Sequence, residues 1–203
     1  MILLGVGMAY AQQGKPFPHR THLELGMDCA TCHASVAAST SVSDNLLPNS
    51  TVCKQCHDTV SIPPPRPTSL TKFSHARHVK LGNIAPAISA AIDKKTYLGN
   101  PDDIRAHLKP TANACLACHR GIDTSMKVSD ANMPQMADCL VCHNQIEPPF
   151  SCAKCHDPKW SGLVPASHHA EDWENRHSTK AVSKQGCSLC HGQKFTCMGC
   201  HLG

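Results

Sequence analysis

The chain of 203 residues carries fifteen prolines, twelve glycines and only 4% aromatic side chains, without long periodic apolar segments, so a conventional aromatic-rich core is excluded. The formal charge of +4 comes with no block of basic residues, which leaves a nucleic-acid-binding reading without footing. Abundance lies elsewhere, in fourteen cysteines and fifteen histidines.

The chain opens on a short apolar run, Ile2–Ala11, ending Ala9-Tyr10-Ala11. That ending fits the small-x-small rule for signal-peptide cleavage before Gln12, and the run is too short to cross a bilayer as a helix. Residues 1–11 are therefore expected to be a signal peptide lacking its basic start region, with initiation upstream of Met1. A buried amino-terminal strand is the competing reading. Export predicts a periplasmic or secreted protein with no membrane span after processing.

Next comes Phe17-Pro18-His19-Arg20-Thr21-His22-Leu23-Glu24-Leu25-Gly26, a pattern that returns as Phe73-Ser74-His75-Ala76-Arg77-His78-Val79-Lys80-Leu81-Gly82. Behind the first copy stands Cys29-Ala30-Thr31-Cys32-His33, the first of seven Cys-x-x-Cys-His motifs. The others are Cys53–His57, Cys115–His119, Cys139–His143, Cys152–His156, Cys187–His191 and Cys197–His201, and together they use every cysteine. Histidine fills 15 of 203 positions, so a His after all seven pairs by chance has odds on the order of one in a hundred million. A disulfide scaffold does not require that His, and zinc ribbons take cysteine pairs two at a time. The motif is the attachment signature of c-type haem: two thiols become thioethers on the vinyl groups, and the adjacent imidazole reaches the iron.

Seven covalent haem c groups follow, held by Cys29, Cys32, Cys53, Cys56, Cys115, Cys118, Cys139, Cys142, Cys152, Cys155, Cys187, Cys190, Cys197 and Cys200. His33, His57, His119, His143, His156, His191 and His201 are the proximal ligands. With about 27 residues per haem, the expected fold is mostly irregular coil with short α-helices wrapped around the haems, little or no β-sheet, and a core supplied by porphyrin. The haem-free chain should be largely unfolded. Each ferric bis-His haem adds a net charge of about −1 and each ferrous one about −2, moving the holoprotein to about −3 oxidised and about −10 reduced.

The repeats divide the chain. Residues 12–60 form a dihaem unit and 61–72 a linker stiffened by the proline-rich Ser61–Pro67. Residues 73–158 form a trihaem unit and 159–203 a second dihaem unit. Cys29 to Cys53 and Cys115 to Cys139 are equally spaced, and the trihaem unit differs by an insertion at 83–112. That insertion should hold a helix around Ile84–Ile92 and a turn at Asn100-Pro101-Asp102. A second match joins Cys139–His156, with Phe150-Ser151 ahead of its second motif, to Cys187–His201, with Phe195-Thr196 in that place.

The paired-histidine opening, the successive attachment motifs and the closing Cys197-Met198-Gly199-Cys200-His201 resemble the class III multihaem cytochromes, especially their triheme members. The resemblance covers most of Phe17–His201, with the paired-histidine opening one residue shorter here. It departs in the first unit, which lacks a third haem, and in the second, which carries the insertion. It implies electron transfer between redox partners, with the histidines outside the motifs as second axial ligands. On the family pattern His19 serves the Cys29/Cys32 haem, His22 the Cys53/Cys56 haem, His75 the Cys115/Cys118 haem and His78 the Cys139/Cys142 haem. By elimination His107 serves the Cys152/Cys155 haem. His177 precedes Cys187 as His19 precedes Cys29, and ligates in the last unit together with His168 or His169.

Methionine is the rival ligand, but histidines suffice, so Met27, Met126, Met133, Met136 and Met198 are read as gap-fillers and Trp160 and Trp173 as packing. Saturated irons predict a carrier with no catalytic residue. Its partners would be redox proteins: a membrane quinol-oxidising complex, a periplasmic reductase or an outer-membrane conduit, with docking aided by Lys94, Lys95 and Lys109. Two other classes remain open. One is a nitrite- or hydroxylamine-type oxidoreductase with one open haem; the other is a self-assembling protomer of an extracellular cytochrome filament.

Overall fold

The computed structural model describes residues 16–110, 113–143, 152–159, 161–164, 166–176 and 189. Among the described residues, seven short α-helices and several 3₁₀ turns are joined by turn and coil: α1 (His19–Glu24), α2 (Cys29–Cys32), α3 (Ser50–Cys53), α4 (His75–Val79), α5 (Ala85–Asp93), α6 (Met136–Leu140) and α7 (Trp173–Arg176). Among the described residues there is no strand, and Leu70 and His156 form an isolated antiparallel bridge. The coil-and-short-helix architecture expected of a haem-wrapped chain is what the described residues show.

Local chemistry explains the helices. The five described motifs each close one helical turn, with the histidine N–H donating to the first cysteine carbonyl at 2.8–3.0 Å. Capping starts these turns. Asp28 accepts from Thr31 N at 2.7 Å, Asn49 from Thr51 N at 3.0 Å, and Asn113 from Cys115 N at 2.9 Å. α1 and α4 end alike, on Gly26 and Gly82 at φ +85° and +70°, where a side chain would be strained. The expected linker runs without regular structure to Pro67. Residues 69–71 then line up beside the Cys152–His156 motif, Thr71 N donating to Cys155 O at 2.8 Å and Asp157 N to Ser69 O at 3.0 Å.

Among the described residues the side-chain core is small and lies in one place. Ala85, Ile88, Ile92, Ile104, Leu108 and Ala117 form its buried cluster, flanked by Ile84, Tyr97 and Val141. The insertion supplies most of it. Its helix α5 matches the expected Ile84–Ile92 within a residue, and Asn100 forms the expected turn by accepting from Asp102 N at 3.1 Å.

The first two units interlock. α1 packs on the 3₁₀ turn Ile122–Thr124 of the second unit, and α4 on the 3₁₀ turn Ala34–Ala38 of the first. Arg20 N donates to Ser125 O at 3.0 Å, and Ala76 N donates to Ser39 O at 2.8 Å.

Candidate haem-binding site

Helix α1 presents His19 and His22 one turn apart, and each faces a motif histidine. The ring centres of His19 and His33 stand 6.4 Å apart with planes within 9°. His22 and His57 are 6.1 Å apart at 47°. Helix α4 repeats the arrangement, with His78 and His143 separated by 6.3 Å at 46°. Two imidazoles bound to one metal, at about 2 Å per bond and about 1.1 Å from nitrogen to ring centre, stand about 6.2 Å apart. The three separations fit a single iron between each pair.

The tautomers fit as well. His22 Nδ1 lies 3.0 Å from Pro18 O and His78 Nδ1 2.8 Å from Ser74 O, each bonding back four residues. His33 Nδ1 reaches Leu46 O at 2.7 Å, and His119 Nδ1 reaches Asn132 O at 3.2 Å, each thirteen residues downstream. His156 Nδ1 meets Ser69 Oγ at 3.0 Å. Tying Nδ1–H to an acceptor leaves Nε2 as the metal-facing nitrogen and makes it more basic. His19 Nδ1 is buried with no hydrogen-bond partner.

Phe17 and Phe73 hold the paired rings. Phe17 stacks on His22 at 4.4 Å and meets His19 edge-on at 4.7 Å; Phe73 does the same to His78 at 4.3 Å and His75 at 4.7 Å. Burial lowers the imidazole of His19 below its ordinary pKa, reinforced by His33, His22 and His119. His75 is lowered by burial, then by His119 and His78. His119 is lowered by burial against the opposing pull of the Asn132 carbonyl. A neutral imidazole is the form a metal binds.

His75 thus shares its surroundings with His119. His107 lies against Gly121, where an added Cβ would come within 3.5 Å of His107 Cε1. His168 stacks on Trp173 at 4.4 Å, and His169 is exposed. The ten described cysteines form no disulfide, and none is fully buried. Cys187, Cys190, Cys197, Cys200, His177, His191 and His201 lie outside the described residues, as do residues 1–15, which include the expected leader 1–11. Among the described residues no group of three or more His, Cys, Asp or Glu is gathered to hold a bare metal ion. No helix among them is long and apolar enough to cross a membrane.

One part of the site was not foreseen from the sequence. Between the third and fourth motifs Arg120 and Asp138 form an ion pair of 2.7 Å with side chains 3% and 2% exposed. Tyr97 of the insertion donates to Asp138 Oδ1 at 2.9 Å, Gln135 N donates to Oδ2 at 2.8 Å, and Arg120 also bonds Ala117 O at 3.0 Å. Every charge is therefore compensated. The available signal was a charged residue directly after His119 and another directly before Cys139.

No curated protein and no solved structure matches the chain. Residues 15–63 match the sequence profile of a family described as cytochrome c7 and related cytochrome c. That stretch spans the first two attachment motifs and the helix whose two imidazoles face them, and on this ground the chain is a multihaem, electron-transferring c-type cytochrome.

Proposed function

We propose that the chain is a heptahaem electron carrier of the periplasm or cell exterior, built from a dihaem, a trihaem and a second dihaem unit. It takes one electron at a time from a donor redox protein and yields it to an acceptor. The observation that carries this reading is the set of three imidazole pairs at 6.1–6.4 Å, each joining a motif histidine to one outside the motifs. The axial pairs are His19 with His33, His22 with His57, His75 with His119 and His78 with His143. His107 serves His156, while His177 and one of His168 or His169 serve His191 and His201.

When bound, each haem supplies a reversible one-electron ferric/ferrous couple. The residues of the chain do the rest. Thioether cysteines would fix the porphyrin edge, the carbonyl-anchored His22, His33, His78 and His119 would each present Nε2 to an iron, and the phenylalanines hold the ring planes of the distal pairs. Paired imidazoles leave no position for a substrate, which favours a relay over a catalyst. Suitable partners are a membrane quinol-oxidising complex on one side and a periplasmic reductase or outer-membrane conduit on the other.

Intact mass should give seven haems per chain, and electron paramagnetic resonance of the oxidised protein should integrate to seven low-spin centres. One stoichiometric high-spin centre would mean an open iron and would overturn the carrier reading in favour of the oxidoreductase.

A further inference from the structure

The two interlocking units obey one operation. Arg20 and Ala76 each follow the first histidine of a pair, while Ser39 and Ser125 each lie six residues beyond a motif histidine. The first unit gives its N–H to the second, and the second returns the equivalent bond to the first, at 3.0 and 2.8 Å. α1 and α4 are exchanged in the same reciprocal way onto the turns behind His119 and His33. Such reciprocity, residue i on j and the equivalent of j on the equivalent of i, is the signature of a two-fold relation. Its axis can be placed. Cys29 and Cys115, the first cysteines of their units, meet side chain to side chain, each touching its own counterpart.

We propose, building on the haem-binding reading above, that the described attachment motifs are joined head to head, in the spatial order Cys53–His57, Cys29–His33, Cys115–His119, Cys139–His143, Cys152–His156. The amino-terminal motif is internal and the second motif ends the row. Chain order and spatial order differ because the two-fold brings the first motif of each unit to the centre and sends the second motif outward.

The flanking contacts agree. Cys32 has Cys53 as a neighbour, and a cleft lined by residues of both α2 and α3, including Cys32 and Val52, lies between their motifs. On the other side the buried Arg120–Asp138 pair ties the residue after His119 to the residue before Cys139, and Cys139 has Cys155 as a neighbour. A redox partner approaching the near end of this row therefore reaches the residues around Cys53–His57 first, although Cys29 precedes them in the chain.

The test is nuclear Overhauser spectroscopy on the fully reduced, diamagnetic holoprotein, after mass and paramagnetic resonance have established haem number and spin state. Expected are cross-peaks between the haems on Cys29/Cys32 and Cys115/Cys118, and between those on Cys29/Cys32 and Cys53/Cys56. Cross-peaks joining the Cys53/Cys56 haem to the Cys115/Cys118 haem, in simple chain order, would overturn the head-to-head junction while leaving ligation standing. A second readout needs no haem assignment. In the holoprotein all native thiols are committed, so a T21C/M126C variant, placed where Thr21 Oγ1 lies 4.0 Å from Met126 Sδ, should close internally with a short bis-maleimide. Exclusively intermolecular products in a variant with full haem content would also overturn the interlock.

Discussion

Residues 16–60 and residues 83–143 contain the same pair of attachment motifs, yet they are held together by different means. All eight buried apolar side chains of the described chain lie between Ala85 and Ala137, with Ile88 at 0% and Ile104 at 2% exposure. In the first unit the buried residue is Ser39, a polar side chain under the neighbouring unit. The position after the motif histidine is Ala34 in one region and Arg120 in the other; the position before the next motif is Val52 in one and Asp138 in the other. Ala34 and Val52 line an open cleft of about 540 Å³, whereas Arg120 and Asp138 close on each other beneath Tyr97. The lesson is that one motif scaffold can draw its cohesion from prosthetic groups alone or add a side-chain core of its own.

Withholding haem should separate the two regions most sharply. Hydrogen exchange on the haem-free chain is expected to show residues 16–60 exchanging without protection, because nothing apolar remains to offset the chain entropy. Amides between Ala85 and Val141 should retain measurable protection, since the cluster around Ile88 and Ile104 is built from the chain's own side chains. Uniform loss across both regions would mean that the insertion core is too small to stand by itself.

The buried ion pair gives the next largest effect. Asp138→Ala leaves the Arg120 guanidinium enclosed without a counter-charge and should cost about 3–5 kcal/mol in denaturant unfolding. Importing the first unit's residues together, as R120A/D138V, should cost less than the single change, because no charge is then stranded. Additive losses would show that the two charges are not coupled. Ile104→Ala should follow at about 2–5 kcal/mol, the usual range for emptying a core site.

These differences mark how far the sequence could be read. The motif cysteines, the helix α5 and the Asn100 turn were legible because spacing and local turn chemistry determine them within a few residues. The facing of the histidines could be expected only through the family resemblance, since no local rule says that His19 faces His33 across the thirteen residues between them. The exchange of α1 and α4 was not legible at all. It rests on backbone groups of Arg20, Ser125, Ala76 and Ser39, whose side chains carry no signal of it. Arg120 and Asp138 were hidden for a related reason, since a charge beside a motif is ordinarily solvated, and only the cover given by Tyr97 and the core makes it structural.

Where the two regions use the same device, the effects should converge. Asn49 caps the turn into Cys53, and Asn113 caps the turn into Cys115. Either Asn→Ala change should cost about 1 kcal/mol, as for other side-chain caps, irrespective of which region has a core. A much larger loss at Asn49 would show that a region without its own core amplifies local defects.

The smallest effect is expected at Arg20 and Glu24, one turn apart on α1 and joined at 2.8 Å with both side chains more than half exposed. Water and salt screen such a pair, and ordering two long side chains offsets most of the attraction. The repeat supplies its own control. On α4 the equivalent positions are Ala76 and Lys80, which cannot form an ion pair, yet His78 keeps its 6.3 Å separation from His143 and its bond to Ser74 O. What positions His22 and His78 is the backbone acceptor four residues back and the stacked phenylalanine, and neither involves the ion pair. Glu24→Gln should therefore leave the unfolding midpoint and the low-spin signals unchanged at low and high salt alike. A salt-dependent change in the low-spin signals of the first unit would show that its distal helix, lacking a core beneath it, does lean on surface charge.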